Sequence, residues 1–322
     1  SLFAGADGQL GDVGSVLSTG LLEPLDLARF LQEQEAAGRA AALLGPRGAG
    51  DEQFVPGGTI LPYEIRFGGG QNQSPVNEIR IVAELDQALD PAGFRLGDVR
   101  LGDIVIDLPE DRAFHQSELD LTGTRGYVVR VSAGIDGASG IATWLIQAID
   151  PATGEMMVGG PGLLVGDNPT GGLVFGATAR PRAADGTEIR FRARVLFDNR
   201  PPEDTNEAQV VLDRTPPQTQ LQVTRIMGSD QYVLDWTAQD DLSGLRHVSL
   251  FVATNGGAFA LFQGQSTETT ALFQGSPGQN YEFLALATDM AGNTERPPAG
   301  VSVPADGFTP DLGGGAGFGV AT

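Results

Sequence analysis

From Thr59 to Asp213, apolar and polar residues alternate with a period close to two. "TILPYEIRF" and "NEIRIVAEL" show it first. In a β-strand this spacing turns one side chain to a core and the next to water. "FRLGDVRLGDIVIDLP" predicts two short strands, broken at Gly97 and Gly102. "YVVRVSAGID" and "IATWLIQAID" flank a turn at Asp136–Gly140 and predict a hairpin. "GGLVFGATARP" and "TEIRFRARVLFD" complete the set. In the latter, Ile189, Phe191, Ala193, Val195 and Phe197 alternate with Arg190, Arg192, Arg194 and Leu196. One side of that strand can bury while the arginines face water. Trp144, flanked by apolar residues, reads as core.

A second set of short strands begins near Arg214. "TQLQVTRI", "QYVLDWTAQDD", "LRHVSLFVATNGGAFALFQ", "TTALFQ" and "NYEFLALATDMAGNTE" predict about seven strands, with "TNGG" as a hairpin turn and Trp236 in the core. That strand number fits an Ig-like or fibronectin type III-like module.

Outside these sets the period is lost. Residues 1–20 are Gly-rich. Pro24 suits a first helical turn, and Leu27, Phe30, Leu31 and Leu44 form a stripe near helical spacing that Gly45 and Pro46 end. A helix near 24–44, packed on a neighbouring domain, is expected. Residues 305–322 predict a flexible Gly-rich tail. The expected fold is all-β: tandem antiparallel β-sandwiches with a short N-terminal helical segment. Its divisions are 1–56, 57–213, 214–304 and 305–322.

Composition narrows the chemistry. The 322 residues leave room for two or three domains, and 46 Gly and 20 Pro favour many turns. A net charge of -21 repels nucleic acid and anionic membranes and suits cation binding. All 20 basic residues are Arg. Without Lys there is no side-chain amine for a Schiff base, a P-loop phosphate contact or a Lys–Asn crosslink. Without Cys there are no disulfides, thiolate nucleophiles or Cys-bound zinc. No apolar run reaches membrane-spanning length. A chain opening on Ser1, with no visible leader, is expected to be a mature or excised piece of something longer.

Catalytic signatures are missing. His115 and His247 are the only histidines; neither belongs to H-E-x-x-H, and each is expected on a strand surface. There is no G-x-S-x-G elbow, P-loop or dinucleotide fingerprint. The 41 acidic residues make a carboxylate pair easy to imagine and uninformative. The expectation is a protein that is not an enzyme.

The segment "VLFDNRPPEDTNEAQVVLDRTPP", Val195 to Pro217, concentrates the candidate binding chemistry. Pro201, Pro202, Pro216 and Pro217 stiffen it, while Asp198, Glu203, Asp204, Asn206, Glu207 and Asp213 offer oxygens. Asp240 and Asp241 in one loop of the second module, with Asp289 and Asn293 in another, can gather at the same end of a sandwich. Six to eight oxygens suit Ca²⁺ rather than Zn²⁺. Asp198, Asp204, Asp213, Asp240 and Asp241 are the candidate metal ligands, and structural Ca²⁺ the candidate cofactor. The same residue types also build turns without metal, which leaves a rigid acidic linker as the other reading.

"LPYEIRF", "RIVAELDQALDPAGFRLGDVRLGDIVIDLP", "SAGIDGASGIATWLIQAIDPATGE" and "ARVLFDNRPPEDTNEAQVVLD" resemble a domain of very large multidomain bacterial secreted and surface proteins. "DRTPPQT", "DWTAQDDLSGLRHVSLFVATNGGAF" and "YEFLALATDMAGNTE" resemble the bacterial fibronectin-like or Ig-like repeats that commonly follow it. The tail lacks the tandem G-G-x-G-x-D repeats of a calcium roll. The resemblance implies a structural or adhesive segment, extracellular or on a bacterial surface, that spaces or presents other domains. Two alternatives stay open: an ancillary carbohydrate-binding or positioning region of a secreted hydrolase, and a protomer of an extracellular filament or surface layer. Expected partners are neighbouring domains, other protomers or surface ligands, with no nucleic acid and no membrane insertion.

Overall fold

A computed structural model describes residues 41–68, 75–109, 111–164 and 169–312. These form twenty strands, and no helix occurs among the described residues. The strands are β1 (Ala41–Leu44), β2 (Phe54–Pro56), β3 (Ile60–Gly68), β4 (Glu78–Glu84), β5 (Leu89–Leu101), β6 (Ile104–Ile106), β7 (Phe114–Leu121), β8 (Tyr127–Asp136), β9 (Ile141–Ile149) and β10 (Thr170–Ala179). They continue with β11 (Glu188–Phe191), β12 (Ala193–Phe197), β13 (Glu203–Asp204), β14 (Ala208–Asp213), β15 (Gln218–Arg225), β16 (Gln231–Gln239), β17 (Leu245–Thr254), β18 (Ala260–Ser266), β19 (Thr270–Gln274) and β20 (Tyr281–Asp289).

Strands β1 to β14 share one core. A five-stranded sheet, β1-β3-β10-β5-β6, and a six-stranded sheet, β13-β12-β4-β9-β8-β7, are joined by a small sheet, β11-β14-β2. Phe175 lies at the centre of the core. Its ring meets Tyr63, Phe94, Trp144 and Phe191 at centroid distances of 5.2, 5.6, 5.3 and 5.3 Å. Such offset and tilted contacts suit the quadrupoles of the rings.

The alternation from Ile189 to Phe197 is present: the five apolar residues are buried and the three arginines are exposed. The run nevertheless changes sheets at Arg192. Residues 188–191 pair with β14, while 193–197 pair with β4. The expected hairpin joins β8 to β9, where the Gly140 amide donates to the Asp136 carbonyl at 2.8 Å.

Three local expectations are corrected. Gly97 does not break β5. It lies inside a thirteen-residue strand because a Cβ there would come within 2.7 Å of Val174 on β10, so close sheet contact needs glycine. Residues 41–56 do not stand outside the first sandwich: β1 pairs with β3, β2 runs parallel to β14, and Ala41, Leu43 and Val55 are buried. The expected helix near 24–44 therefore ends in strand at 41–44, and its remainder lies outside the described residues. Strand β7 was not expected. His115 and Ser117 fall on its half-buried positions and dilute the apolar pattern.

Strands β15 to β20 form two three-stranded sheets, β15-β16-β19 and β18-β17-β20, six strands rather than about seven. Leu234, Trp236, Val248, Leu250, Ala285 and Ala287 are their buried core. Asn255 and Gly256 both take positive φ in the "TNGG" turn, as a tight two-residue hairpin turn requires.

The C-terminal run is held as far as Leu312, not free from residue 305. Asp306 and Phe308 pack on β17, and Leu312 reaches the first core.

Because each module holds one tryptophan, Phe175→Ala can be followed through Trp144 in a Trp236→Phe background. It is expected to destabilise the first sandwich by about 3–5 kcal/mol in chemical unfolding. A loss well under that range would show that Phe175 is not the packing centre.

Candidate metal centre

Much of the segment read as a linker belongs to the first sandwich. Asp198 follows β12 with φ of 47°, and its Oδ1 accepts the Asn77 and Glu78 amides at 2.9 and 2.8 Å. It thereby ties the turn to the start of β4. Asp204 accepts both arms of the Arg194 guanidinium at 2.6 and 2.9 Å. Asn206 imitates a strand neighbour, accepting from the Leu43 amide and donating to the Leu43 carbonyl, both at 2.8 Å. Each of these side chains completes the sandwich edge.

The joint proper is Arg214–Pro217, between β14 and β15. Arg214 was not singled out in the sequence, yet it anchors the joint. Its guanidinium donates to the carbonyls of Arg180, Pro181 and Ala183 at 3.0, 2.7 and 3.2 Å. Its amide donates to Asp185 at 2.7 Å, and the Thr215 hydroxyl donates to the same carboxylate. Gly57 leaves room for the Arg214 stem, which a Cβ would strike at 2.4 Å.

Asp213 faces the second module. Three carboxylates, Asp213, Asp240 and Asp289, each place one oxygen within 4.8 Å of the others. Asp213 and Asp289 are fully buried and Asp240 is partly so. Asp213 accepts the Thr215 and Ser243 amides at 3.2 and 3.1 Å. Asp289 accepts the Gly292 and Asn293 amides at 2.6 and 2.8 Å and the Asn293 side-chain amide at 2.8 Å. That same side-chain nitrogen also reaches the Asp213 carbonyl at 3.1 Å. Asp240 Oδ2 accepts the Leu242 and Gly244 amides at 3.1 and 2.7 Å. Its Oδ1 is buried without a hydrogen-bond partner.

These contacts come from neutral donors, so the charge stays crowded. Burial, with the neighbouring Asp213 carboxylate adding to it, pushes Asp289 up to about 6. Asp213 is raised as well, by burial first and then by Asp240. Two of the five candidate ligands, Asp213 and Asp240, thus come together, joined by Asp289 from the loop already noted. Asp198 and Asp204 stand apart from the cluster. Asp241 is exposed and lines an open polar groove with Gln218, Gln239 and Glu295. An all-oxygen donor set with an orphaned buried carboxylate oxygen fits a hard divalent cation.

His247 is buried rather than on a strand surface. Its Nε2 lies 3.3 Å from Asp306, and the Ser249 hydroxyl donates to the same Asp306 oxygen at 2.6 Å. In a Ser–His–Asp relay the serine bonds the imidazole. Here both residues bond the carboxylate, so the arrangement holds the C-terminal run instead of activating a nucleophile.

No family model matches the chain, and no curated protein matches it. Solved structures do. Domains D2 and D3 of the major pilin SpaD from Corynebacterium diphtheriae match at 14% identity and a TM-score of 0.30, covering 80% of this chain and 79% of that one. The fibronectin(III)-like modules of CbhA from Clostridium thermocellum match at 11% identity and 0.32, covering 80% and 89%. The N-terminal domain of a Streptococcus gordonii adhesin matches at 16% identity and 0.31, covering 54% of this chain; the match spans 32% of that chain. At these values the matches decide nothing about what this chain binds. The all-β architecture rests on its own strand pairing.

Asp240→Asn removes one charge and gives the orphaned position a donor while leaving an acceptor for Leu242 and Gly244. In chelator at pH 7 the variant is expected to melt a few degrees higher than the parent, on a scale of about 2–4 °C per kcal/mol. The gain has a definite pH dependence. Near pH 4 the folded protein keeps the Asp289 proton; above about 6 it loses it and the repulsion is complete. Stability from this group therefore falls as pH rises through that window. The advantage of Asp240→Asn should accordingly be smaller at pH 4.5 than at pH 7. An equal or larger gain at pH 4.5 would show that charge crowding is not its source.

Proposed function

We propose that the chain is a non-catalytic structural segment of a secreted or cell-surface protein, in which two sandwiches divided at Asp213–Arg214 are locked at a fixed angle and present the far end of the second. The observation that carries this reading is the joint. Arg214 and Asp185 anchor the connector to the first sandwich, and Asp213 contributes to a buried carboxylate cluster otherwise built from the second. A Gly/Ser tether would leave the modules free to swivel. Hydrogen bonds that anchor the connector to the first sandwich, with the buried Asp213 beside it, serve a defined angle instead.

Calcium is the cation proposed for the Asp213, Asp240 and Asp289 cluster. Bound there, it would neutralise the crowded carboxylates and give Asp240 Oδ1 a partner. The backbone turns at Leu242–Gly244 and Gly292–Asn293 already orient these carboxylates through their amides. Binding to the folded form alone adds stability by mass action.

Aromatic placement weighs against the carbohydrate-binding alternative. Phe273, Tyr281 and Phe283 meet one another between the sheets, with Tyr232 beside them, mostly tilted or edge-on and half-buried. They pack the far end of the module rather than forming a flat platform. The β7 edge of the first sandwich carries exposed Glu118 and Asp120, charges of the kind that oppose edge-to-edge assembly into a filament.

Calcium titration followed by calorimetry and melting tests the reading. Millimolar Ca²⁺ is expected to raise the melting temperature, chelator to lower it, and Asp240→Asn to blunt the response. Calorimetry with no heat of binding at millimolar Ca²⁺ would reduce the joint to a rigid acidic connector.

A further inference from the structure

After β20 the chain does not leave the second module at its far end. Asp289 ends that strand inside the carboxylate cluster, and the residues beyond it return across the joint. Glu295 holds the first part, accepting the Thr219 and Ala287 amides at 3.2 and 3.3 Å. Asp306 holds the next. Its carboxylate accepts the Ser249 hydroxyl and the Phe308 amide and sits against His247, and its carbonyl accepts the Gln265 side chain at 3.3 Å. Phe308 lies edge-on to His247 at 5.2 Å, and the Arg246 guanidinium covers its ring at 4.6 Å. Pro310 packs on the turn at Gly292, where a Cβ would meet it at 2.7 Å. Leu312 then packs against the core of the first sandwich, and its carbonyl accepts the Arg47 amide at 2.8 Å.

We propose that residues 305–312 form a strap that closes the joint, so that the second sandwich is fastened to the first by both of its chain ends. The covalent connector Arg214–Pro217 is one fastening. Leu312 in the first core is the other, with Asp306 and Phe308 gripping β17 between them. A module held at one point can rotate about that point. Held at two, it loses most of that freedom, and its angle is fixed by geometry rather than by charge. The strap acts independently of any cation. Through Pro310 it also backs the Asp289–Asn293 turn, so releasing it loosens the loop that carries one of the three carboxylates.

The absence of cysteine makes the test direct. Gly137→Cys, at an open turn of the first sandwich, and Met227→Cys, 96% exposed at the far end of the second, take spin labels for a distance measurement. The measurement is made in chelator, which separates this proposal from calcium binding. The full chain is expected to give a narrow distance distribution. Removal of residues 305–322 should broaden it about twofold or more, and Leu312→Asp should do the same while keeping the Asp306 grip on β17. Melting of each sandwich, read through its own tryptophan, checks that both variants stay folded. A distribution that is broad in the full chain, or equally narrow in folded forms of both variants, overturns the strap.

Discussion

A carboxylate buried where the two modules meet is the constraint around which the joint is built. Asp213 ends β14, the strand that closes the first sandwich beside β2 and β11. Its carbonyl accepts from Gly57 in one module and Asn293 in the other, and its side chain accepts from Ser243. Placing a charge there is costly unless something answers it. The surrounding amides answer part of it, and two further carboxylates work in the opposite direction. The joint is therefore ordered by hydrogen bonds and strained by charge at once, an arrangement suited to a cation and poorly suited to a dry interface.

That conflict can persist because the elements on either side are stiff. In the first sandwich the Phe175 cluster fixes the two large sheets against each other, and the change of sheet at Arg192 links the six-stranded sheet to the small β11-β14-β2 sheet. In the second, the Asp240 and Asp289 loops are each closed by amides onto their own carboxylates. Relaxing the repulsion would mean breaking those turns or unseating Arg214 from the 180–183 carbonyls. Local order thus holds the charges in place.

The strands were largely legible because period-two alternation depends on neighbouring residues. Ile189 to Phe197 shows both the strength and the boundary of that signal. Its inside and outside faces follow from the order of apolar and polar residues alone, but the change of partner at Arg192 depends on where β4 and β14 lie. Gly97 misled for a related reason: glycine ends strands when it turns and stays within them when a neighbour crowds it, and Val174 is 77 residues away in sequence. His115 and Ser117 hid β7 by occupying positions where apolar residues mark a strand. At the joint, the oxygen-rich loops of the second module could be read as gathering at one end because sandwich topology requires it. Sequence could not separate Asp213 from Asp198 and Asp204, since all three lie on one acidic segment. The separation came from Asn77 and Glu78, far along the chain from Asp198, and from Arg194, the cross-strand neighbour of Asp204, which engage the two carboxylates inside the first sandwich. Arg214 carried no local signal, because its role depends on three carbonyls more than thirty residues before it.

Strand number decides what such a module does for the rest of the chain. In an antiparallel sandwich each strand reverses direction, so an odd number carries the chain from one end to the other and an even number brings it back. A seventh strand would have delivered the chain to the far end, making the second module one bead in an extended string. Six strands return it to the Asp213 end, and the residues that follow, instead of adding a seventh, run along β17 to Leu312 and Arg47. The turns at Ile226–Asp230, Asn255–Gly257 and Gly275–Asn280 lie at the opposite end of the module. The described path of the second sandwich consequently begins and ends on the side of the first, where the carboxylate joint and the proposed strap both lie.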